Sequence, residues 1–167
     1  NRLIGSVSGE ITFLPELKLK STTSIDRVYF HKTSFLDPKK TEYGRSQYGN
    51  ATDDRSLSTV MVFDNILTYD KAFGKHSFNV MAGTSGTTSK WSESYQTVSH
   101  FMNSEIKTLN AGNKVSQGNG TRAADWSIMS YLGRVAYNYD SKYLFTANFC
   151  SDGASKLAPA KRRGYFP

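Results

Sequence analysis

The chain has 167 residues, enough for one ordinary domain, and a formal charge of +7 from 21 Lys and Arg against 14 Asp and Glu. The basic residues are scattered, the one dense cluster being Lys161-Arg162-Arg163, and no recognition-helix or aromatic RNA-binding motif accompanies them, so nucleic acid is not an expected partner. The single cysteine, Cys150, excludes an intrachain disulfide scaffold and a cysteine-rich zinc site, and no apolar run approaches the roughly 18 residues of a transmembrane helix.

Residues 3 to 13 alternate cleanly, with Leu3, Gly5, Val7, Gly9, Ile11 and Phe13 on one side. Leu14-Pro15-Glu16 reads as a turn, and Leu17 to Phe35 as a less regular strand rich in Thr, Ser, Val, Ile, Tyr and Phe. Residues 36 to 56, with Pro, Gly, Asn, Asp and charge, predict a long loop. Alternation resumes at Thr59 and runs to Phe73, where Asn65 interrupts the apolar face. Gly74-Lys75 is a tight turn, and the return strand places His76, Phe78, Val80, Ala82 and Thr84 on one face.

From about Ser89 to Asp125 no strand pattern is sustained. Within it Val98, Phe101, Met102, Ile106 and Leu109 predict a short helix over 98–109, followed by a flexible run. So long a connection marks a functional or disordered segment. The clearest hairpin follows, over Trp126 to Gly153. Gly133, Val135, Tyr137 and Tyr139 share a face, Asp140-Ser141-Lys142 turns, and Tyr143, Phe145, Ala147 and Phe149 continue the apolar side.

The connections therefore alternate short and long, which in an antiparallel meander sorts them to opposite ends. Outer-membrane barrels are built this way, and each of their strands is nearly silent in a hydropathy window. Aromatics supply 13% of a chain whose mean hydropathy is −0.50, as a sheet with one apolar face and long polar loops should. Phe13, Tyr69, Phe73, Phe78, Tyr137, Tyr139, Tyr143 and Phe145 lie near the short turns, where an interfacial girdle belongs. Composition alone leaves a β-sandwich with core aromatics equally open; the sorted loops favour the barrel.

No catalytic constellation emerges. His31, His76 and His100 have no metal-ligand spacing, and His76 beside its turn reads as a strand cap. Asp53-Asp54 and Asp152 read as loop acids rather than positioned carboxylates. Cys150 falls on the lumen-facing side, as a small inert residue. Gly118-Asn119-Gly120 lacks the following Lys-Ser/Thr of a phosphate loop. No cofactor or enzyme activity is expected.

One resemblance adds to this reading. Tyr131-Leu132-Gly133-Arg134-Val135-Ala136-Tyr137-Asn138-Tyr139, Lys142-Tyr143-Leu144-Phe145-Thr146-Ala147, Asp152-Gly153-Ala154-Ser155 and Gly164-Tyr165-Phe166-Pro167, with Phe73 to Ser85 before them, resemble the barrel of SusC/RagA-type TonB-dependent outer-membrane transporters. Cys150-Ser151 stand where the family often has two Arg, and Arg163 where an aromatic is common. The resemblance implies an all-β fold: an antiparallel segment of about six strands from a transmembrane β-barrel, short turns at one end and long loops at the other. Residues 1–167 are then expected to be part of a longer chain, without its plug domain and remaining barrel strands. It implies TonB-driven import of a bulky glycan or peptide across the bacterial cell outer membrane. The implied partners are the TonB complex, reached through an absent N-terminal segment, a SusD-like surface lipoprotein acting as a lid, and the lipid bilayer. If these loops touch a glycan, Tyr43, Arg45, Tyr48, Trp91 and Tyr95 are the candidates, since aromatic faces stack on sugar rings and Arg and Tyr donate hydrogen bonds. The rival is a soluble carbohydrate-binding β-sandwich, which would bury the aromatic faces against a second sheet. A hydrolase ranks last.

Overall fold

A computed structural model describes residues 1–113, 117–158 and 162–166. Lys161 of the basic cluster, Pro167 of the terminal motif and residues 114–116 of the flexible run lie outside the described residues. The strands are β1 (Arg2–Leu14), β2 (Leu17–Leu36), β3 (Asn50–Phe73), β4 (His76–Ser99), β5 (Gln117–Tyr139), β6 (Tyr143–Ala154) and β7 (Arg163–Phe166). A five-residue helix, α1 (Glu42–Ser46), lies between β2 and β3, and a single 3₁₀ turn, Leu109–Ala111, between β4 and β5. All seven strands join one antiparallel sheet in chain order. That is one strand more than about six, the addition being the short β7.

The described residues form two compact units. One comprises Asn1–Arg2, Arg27–Ser58 and Lys90–Ala124, and the other Leu3–Asp26, Thr59–Ser89 and Asp125–Pro167. β1, through Arg2 alone, and β2, β3, β4 and β5 each contribute residues to both.

The second unit holds the three short turns. Gly74 takes φ 56°, a conformation that glycine adopts without a Cβ penalty. Asp140 and Ser141 both have positive φ, 52° and 55°, and Lys142 N donates to Tyr139 O at 2.9 Å, the pattern of a type I′ hairpin turn. The two hairpins are tied together: Asp140 N donates to Lys75 O at 2.8 Å, and Lys75 Nζ lies 3.1 Å from Asp140 Oδ2. In the first turn, Asp70 N donates to Glu16 O at 2.8 Å and Lys71 pairs with the Glu16 carboxylate.

Register follows the turn. Tyr139 faces Tyr143, Tyr137 faces Phe145, Val135 faces Ala147 and Gly133 faces Phe149. These pairs stand on one face, because side chains alternate and partners across the ladder share a side. At its turn end the face closes into an aromatic cluster. Phe78 and Tyr137 rings are 4.8 Å apart, Phe73 and Phe78 5.7 Å, His76 and Tyr139 5.0 Å, and Tyr139 and Tyr143 6.4 Å. His76 does more than cap a strand: it stacks on Phe73 at 5.4 Å, and its Nδ1 lies 2.8 Å from the Tyr137 hydroxyl.

Three sequence expectations are corrected. The helix over 98–109 does not form. Val98 lies in the last residues of β4 with only 2% exposure, His100 turns to φ 63°, and Asn103 Oδ1 accepts from Glu105 N (3.1 Å) and Ile106 N (3.3 Å). A local side-chain acceptor of this kind competes with helical hydrogen bonding. The intended apolar face is split, with Phe101 5% exposed and Met102 99%. The loop expected at 36–56 instead contains α1 and the start of β3. The long connection expected at about 90–125 is mostly strand, because β4 runs to Ser99 and β5 begins at Gln117. Neither stretch has an apolar face to alternate, so ladder hydrogen bonding holds them without leaving a periodic signature.

Candidate functional site

The first unit carries the connections at 37–49 and 100–113, and the local sequence explains their shape. Asp37 Oδ1 accepts from Lys39 N at 2.7 Å and Lys40 N at 3.3 Å, turning the chain after β2. The Lys39 amide holds the Asp37 carboxyl below the usual aspartate range. Thr41 then caps α1, its Oγ1 accepting from Gly44 N at 2.9 Å. Position 44 requires glycine, since a Cβ there would sit 2.1 Å from Asp37 O. Tyr48 (φ 55°) and Gly49 (φ 84°) reverse the chain into β3, with Gly49 N bonded to Gly44 O at 2.7 Å.

The second connection docks on the first. Phe101 N donates to Tyr48 O at 2.7 Å and His100 N to Gln47 O at 3.2 Å. Phe101 meets Phe35 edge to face at 5.1 Å, and Lys107 lies 5.8 Å from the Phe35 ring centroid. With Ala51 and Val98, both buried, these residues make the small core of this unit.

A polar chain of contacts runs beside that core. Gln47 Nε2 donates to Tyr43 Oη at 2.9 Å, Asn50 Nδ2 donates to Gln47 Oε1 at 3.0 Å, and Thr52 Oγ1 donates to Asn50 Oδ1 at 3.3 Å. Thr97 Oγ1 lies 3.3 Å from Thr52 Oγ1 and 3.4 Å from Asn50 Oδ1. Tyr43, Gln47, Asn50, Thr52, Thr97 and His100 line an open cavity of about 940 Å³. Its wall offers neutral hydroxyl and amide groups that donate and accept.

Alternation places Trp91, Glu93 and Tyr95 on the same side of β4 as Thr97, and Asp54 on the same side of β3 as Thr52. Arg122 of β5 lies 5.6 Å from the Tyr95 ring centroid and 3.5 Å from Glu93 Oε2. That pair is coulombic without hydrogen-bond geometry, for Glu93 Oε2 is buried with no hydrogen-bond partner. Asp54 Oδ1 is likewise buried and unbonded. Gly120 is the seat of the Tyr95 ring, which a Cβ at 120 would approach to 2.7 Å. Asp53, of opposite parity, accepts from Arg55 Nε at 2.8 Å and lies 3.0 Å from His31 Nε2; His31 first, then Arg55, hold its carboxyl below the usual range.

All five sequence candidates fall in this unit. Tyr43 reaches the cavity wall, and Trp91 and Tyr95 share the face of Thr97. Arg45 and Tyr48 hold the connections instead: Arg45 Nη1 donates to Lys39 O at 3.1 Å, and Tyr48 stacks on His100 at 5.2 Å. Gln47, Asn50, Thr52, Thr97 and Arg122 were not anticipated. Extending the β4 alternation past Ser89 would have placed Thr97 with Trp91 and Tyr95. Among the described residues no group of three or more His, Cys, Asp or Glu could hold a metal ion.

No family model matches the sequence. It is similar to TonB-dependent receptor P3 of Formosa agariphila, 29% identical over 71% of this chain and 12% of that protein, and to TonB-dependent receptor P39 of the same organism, 32% identical over 62% of this chain and 10% of that protein. It also aligns over its whole length with TonB-dependent receptor SusC of Bacteroides thetaiotaomicron, at 24% identity and 16% of the SusC length. The fold matches the RagAB peptide transporter with TM-score 0.85 at 18% identity, over 98% of this chain and 19% of that one. The chain has the fold of a barrel segment of a SusC/RagA-type transporter, and its sequence is similar to TonB-dependent receptors. It spans between a tenth and a fifth of the lengths of these relatives. The family's barrel strands account for the aromatic face, and the two long connections of the first unit fall where barrel loops belong.

Proposed function

We propose that residues 1–167 form part of the wall of an outer-membrane, TonB-dependent importer, with the plug domain and remaining strands supplied by further chain. One observation carries this reading: the second unit has an apolar face, interrupted on β3 at Asn65, from Phe63, Leu67 and Phe73 on β3 to Val135 on β5 and Phe145 and Phe149 on β6, exposed along its length and ending in the aromatic cluster at the short turns. Bilayer on that face removes it from water. β3 and β4 have 24 residues each, and β5 has 23, against about 9–11 needed to cross the hydrocarbon.

The cargo that best suits the site is a glycan. A neutral network of hydroxyls and amides, with Trp91 and Tyr95 on the same face, matches sugar hydroxyls and ring faces. Tyr43, Arg45 and Tyr48 complete the candidate ligand surface, the latter two by fixing the loops. Import would draw on the TonB complex, with a SusD-like lipoprotein closing over the long connections.

Two measurements test the reading. The protein extracted from outer membranes in detergent should change gel mobility on boiling, as a closed barrel does; buffer-soluble monomer without that change would sink the importer. Titration with neutral oligosaccharides and with peptides then separates cargo classes, and tighter peptide binding would overturn the glycan assignment.

A further inference from the structure

On the face of the second unit that carries the aromatics, the β5–β6–β7 ladders align Met129, Gly153 and Arg163 in one row. Phe63 and Gly86 continue it: Phe63 O and Met129 Sδ are the atoms that a Cβ at 86 would meet, at 3.9 and 3.6 Å. The two glycines leave a trough between the larger side chains, an open cavity of about 420 Å³ whose lining includes Phe63, Gly86, Met129, Gly153, Arg162 and Arg163.

The trough has a charged end. Arg163 lies 5.1 Å from the centroid of the Tyr131 ring, and Arg162 Nε donates to Leu157 O at 3.1 Å. No carboxylate shares this face of β6 or β7 among the described residues, for Asp152 stands on the other side beside Cys150, whose thiol donates to it at 3.2 Å. Ser151, on the trough face opposite Tyr131 and Tyr165, is 3% exposed, and its Oγ has no partner.

Its height on the strand is also specific. Ten residues of β3 separate Phe63 from Phe73 in the aromatic cluster, about 33 Å along a strand and about 25 Å along the axis of a tilted barrel, the height of the apolar band. Phe63 and Tyr131 thus stand where a second girdle belongs, and Arg162 and Arg163 at headgroup level.

We infer that this trough binds a lipid through both its parts, an acyl chain over Gly86 and Gly153 and a phosphate headgroup at Arg162 and Arg163. Arginine forks pair with phosphate, and the glycines let a methylene chain approach the backbone. This rests on the barrel reading.

The test uses the detergent-purified, delipidated protein and reads the temperature at which the folded gel band is lost. Phosphatidic acid should raise it by about 3 °C or more, while diacylglycerol of the same acyl chains and inorganic phosphate should not. Arg163→Gln should abolish the rise, Arg163→Lys should keep part of it, and Gly153→Leu should abolish it by filling the trough. An equal rise with diacylglycerol overturns the headgroup site, an equal rise with inorganic phosphate alone reduces it to a free-anion site and overturns the lipid, and an unchanged Arg163→Gln overturns the residue assignment. A wild-type protein with no folded band to lose fails the barrel reading itself. A folded band indifferent to phosphatidic acid fails this inference alone.

Discussion

The hydroxyls of Thr52 and Thr97 meet at 3.3 Å across β3 and β4, and each also reaches Asn50 Oδ1, at 3.3 and 3.4 Å. Two hydroxyl protons cannot serve all three contacts, and both are taken up within the trio, so what the hydroxyls keep for a ligand is oxygen lone pairs that accept. Thr97→Val keeps the branched shape and removes the hydroxyl. Calorimetric titration with a bound oligosaccharide should show affinity lowered by about threefold to tenfold, the worth of one hydrogen bond, with the boiling shift intact. Unchanged affinity would remove Thr97 from the ligand surface.

Gly120 gives a sharper test, because only a ring tip stands in the way. A Cβ at 120 would meet Tyr95 at 2.7 Å, and the ring must swing aside. Gly120→Ala should leave the folded band unaltered and weaken oligosaccharide binding about as much as Tyr95→Ala does. Additive losses in the double variant would show that the two positions act independently, contrary to this geometry.

Acid should loosen the first unit through Asp53. Its carboxyl is held below the ordinary value by His31 and Arg55, so the folded state releases its proton more readily than the unfolded chain. The stabilisation is fully present above the ordinary aspartate value of about 3.9 and is lost as pH falls through the lower folded value. Amide exchange in β2 and β3 near His31 and Asp53, corrected for intrinsic rates, should be flat from pH 7 to 5 and rise below about pH 4. In Asp53→Asn this acid step should vanish, while exchange at neutral pH rises up to about fivefold, the ceiling for an exposed pair.

Ser141 holds φ 55° in the second position of its turn, a cost that glycine does not bear. Ser141→Gly should therefore stabilise the β5–β6 hairpin by about 0.5–1 kcal/mol, read as a higher urea midpoint for the folded band. A lower midpoint would mean that the Ser141 side chain contributes more than its backbone costs.

The parts of the fold that were legible in sequence are those where one face is apolar. The β5–β6 hairpin, from Val135 to Phe149, could be assigned with its register because Tyr137 and Phe145 alternate with polar neighbours. β4 beyond Ser89 could not, since Lys90, Ser92 and Ser94 on one side and Trp91, Glu93 and Tyr95 on the other give no contrast. α1 was hidden for a different reason: five residues leave no period, and its signals, Thr41 and the Asp37 turn, resemble those of any loop. The candidate site was half legible. Aromatics in long connections stand out, whereas Asn50, Thr52 and Thr97 become a unit only through pairing across strands 45 residues apart.

The bonds from Phe101 to Tyr48 and from His100 to Gln47 make one latch of two connections that are far apart in sequence. Neither can swing out alone without breaking both bonds, which strands the Tyr48 and Gln47 carbonyls on one side and the Phe101 and His100 amides on the other, and puts the Phe101 ring in water. The mouth of the site therefore moves as a single gate leaf. A cargo or protein that grips α1 also pulls on 100–113, and any opening uncovers the Tyr43–Thr97 network in one step rather than residue by residue.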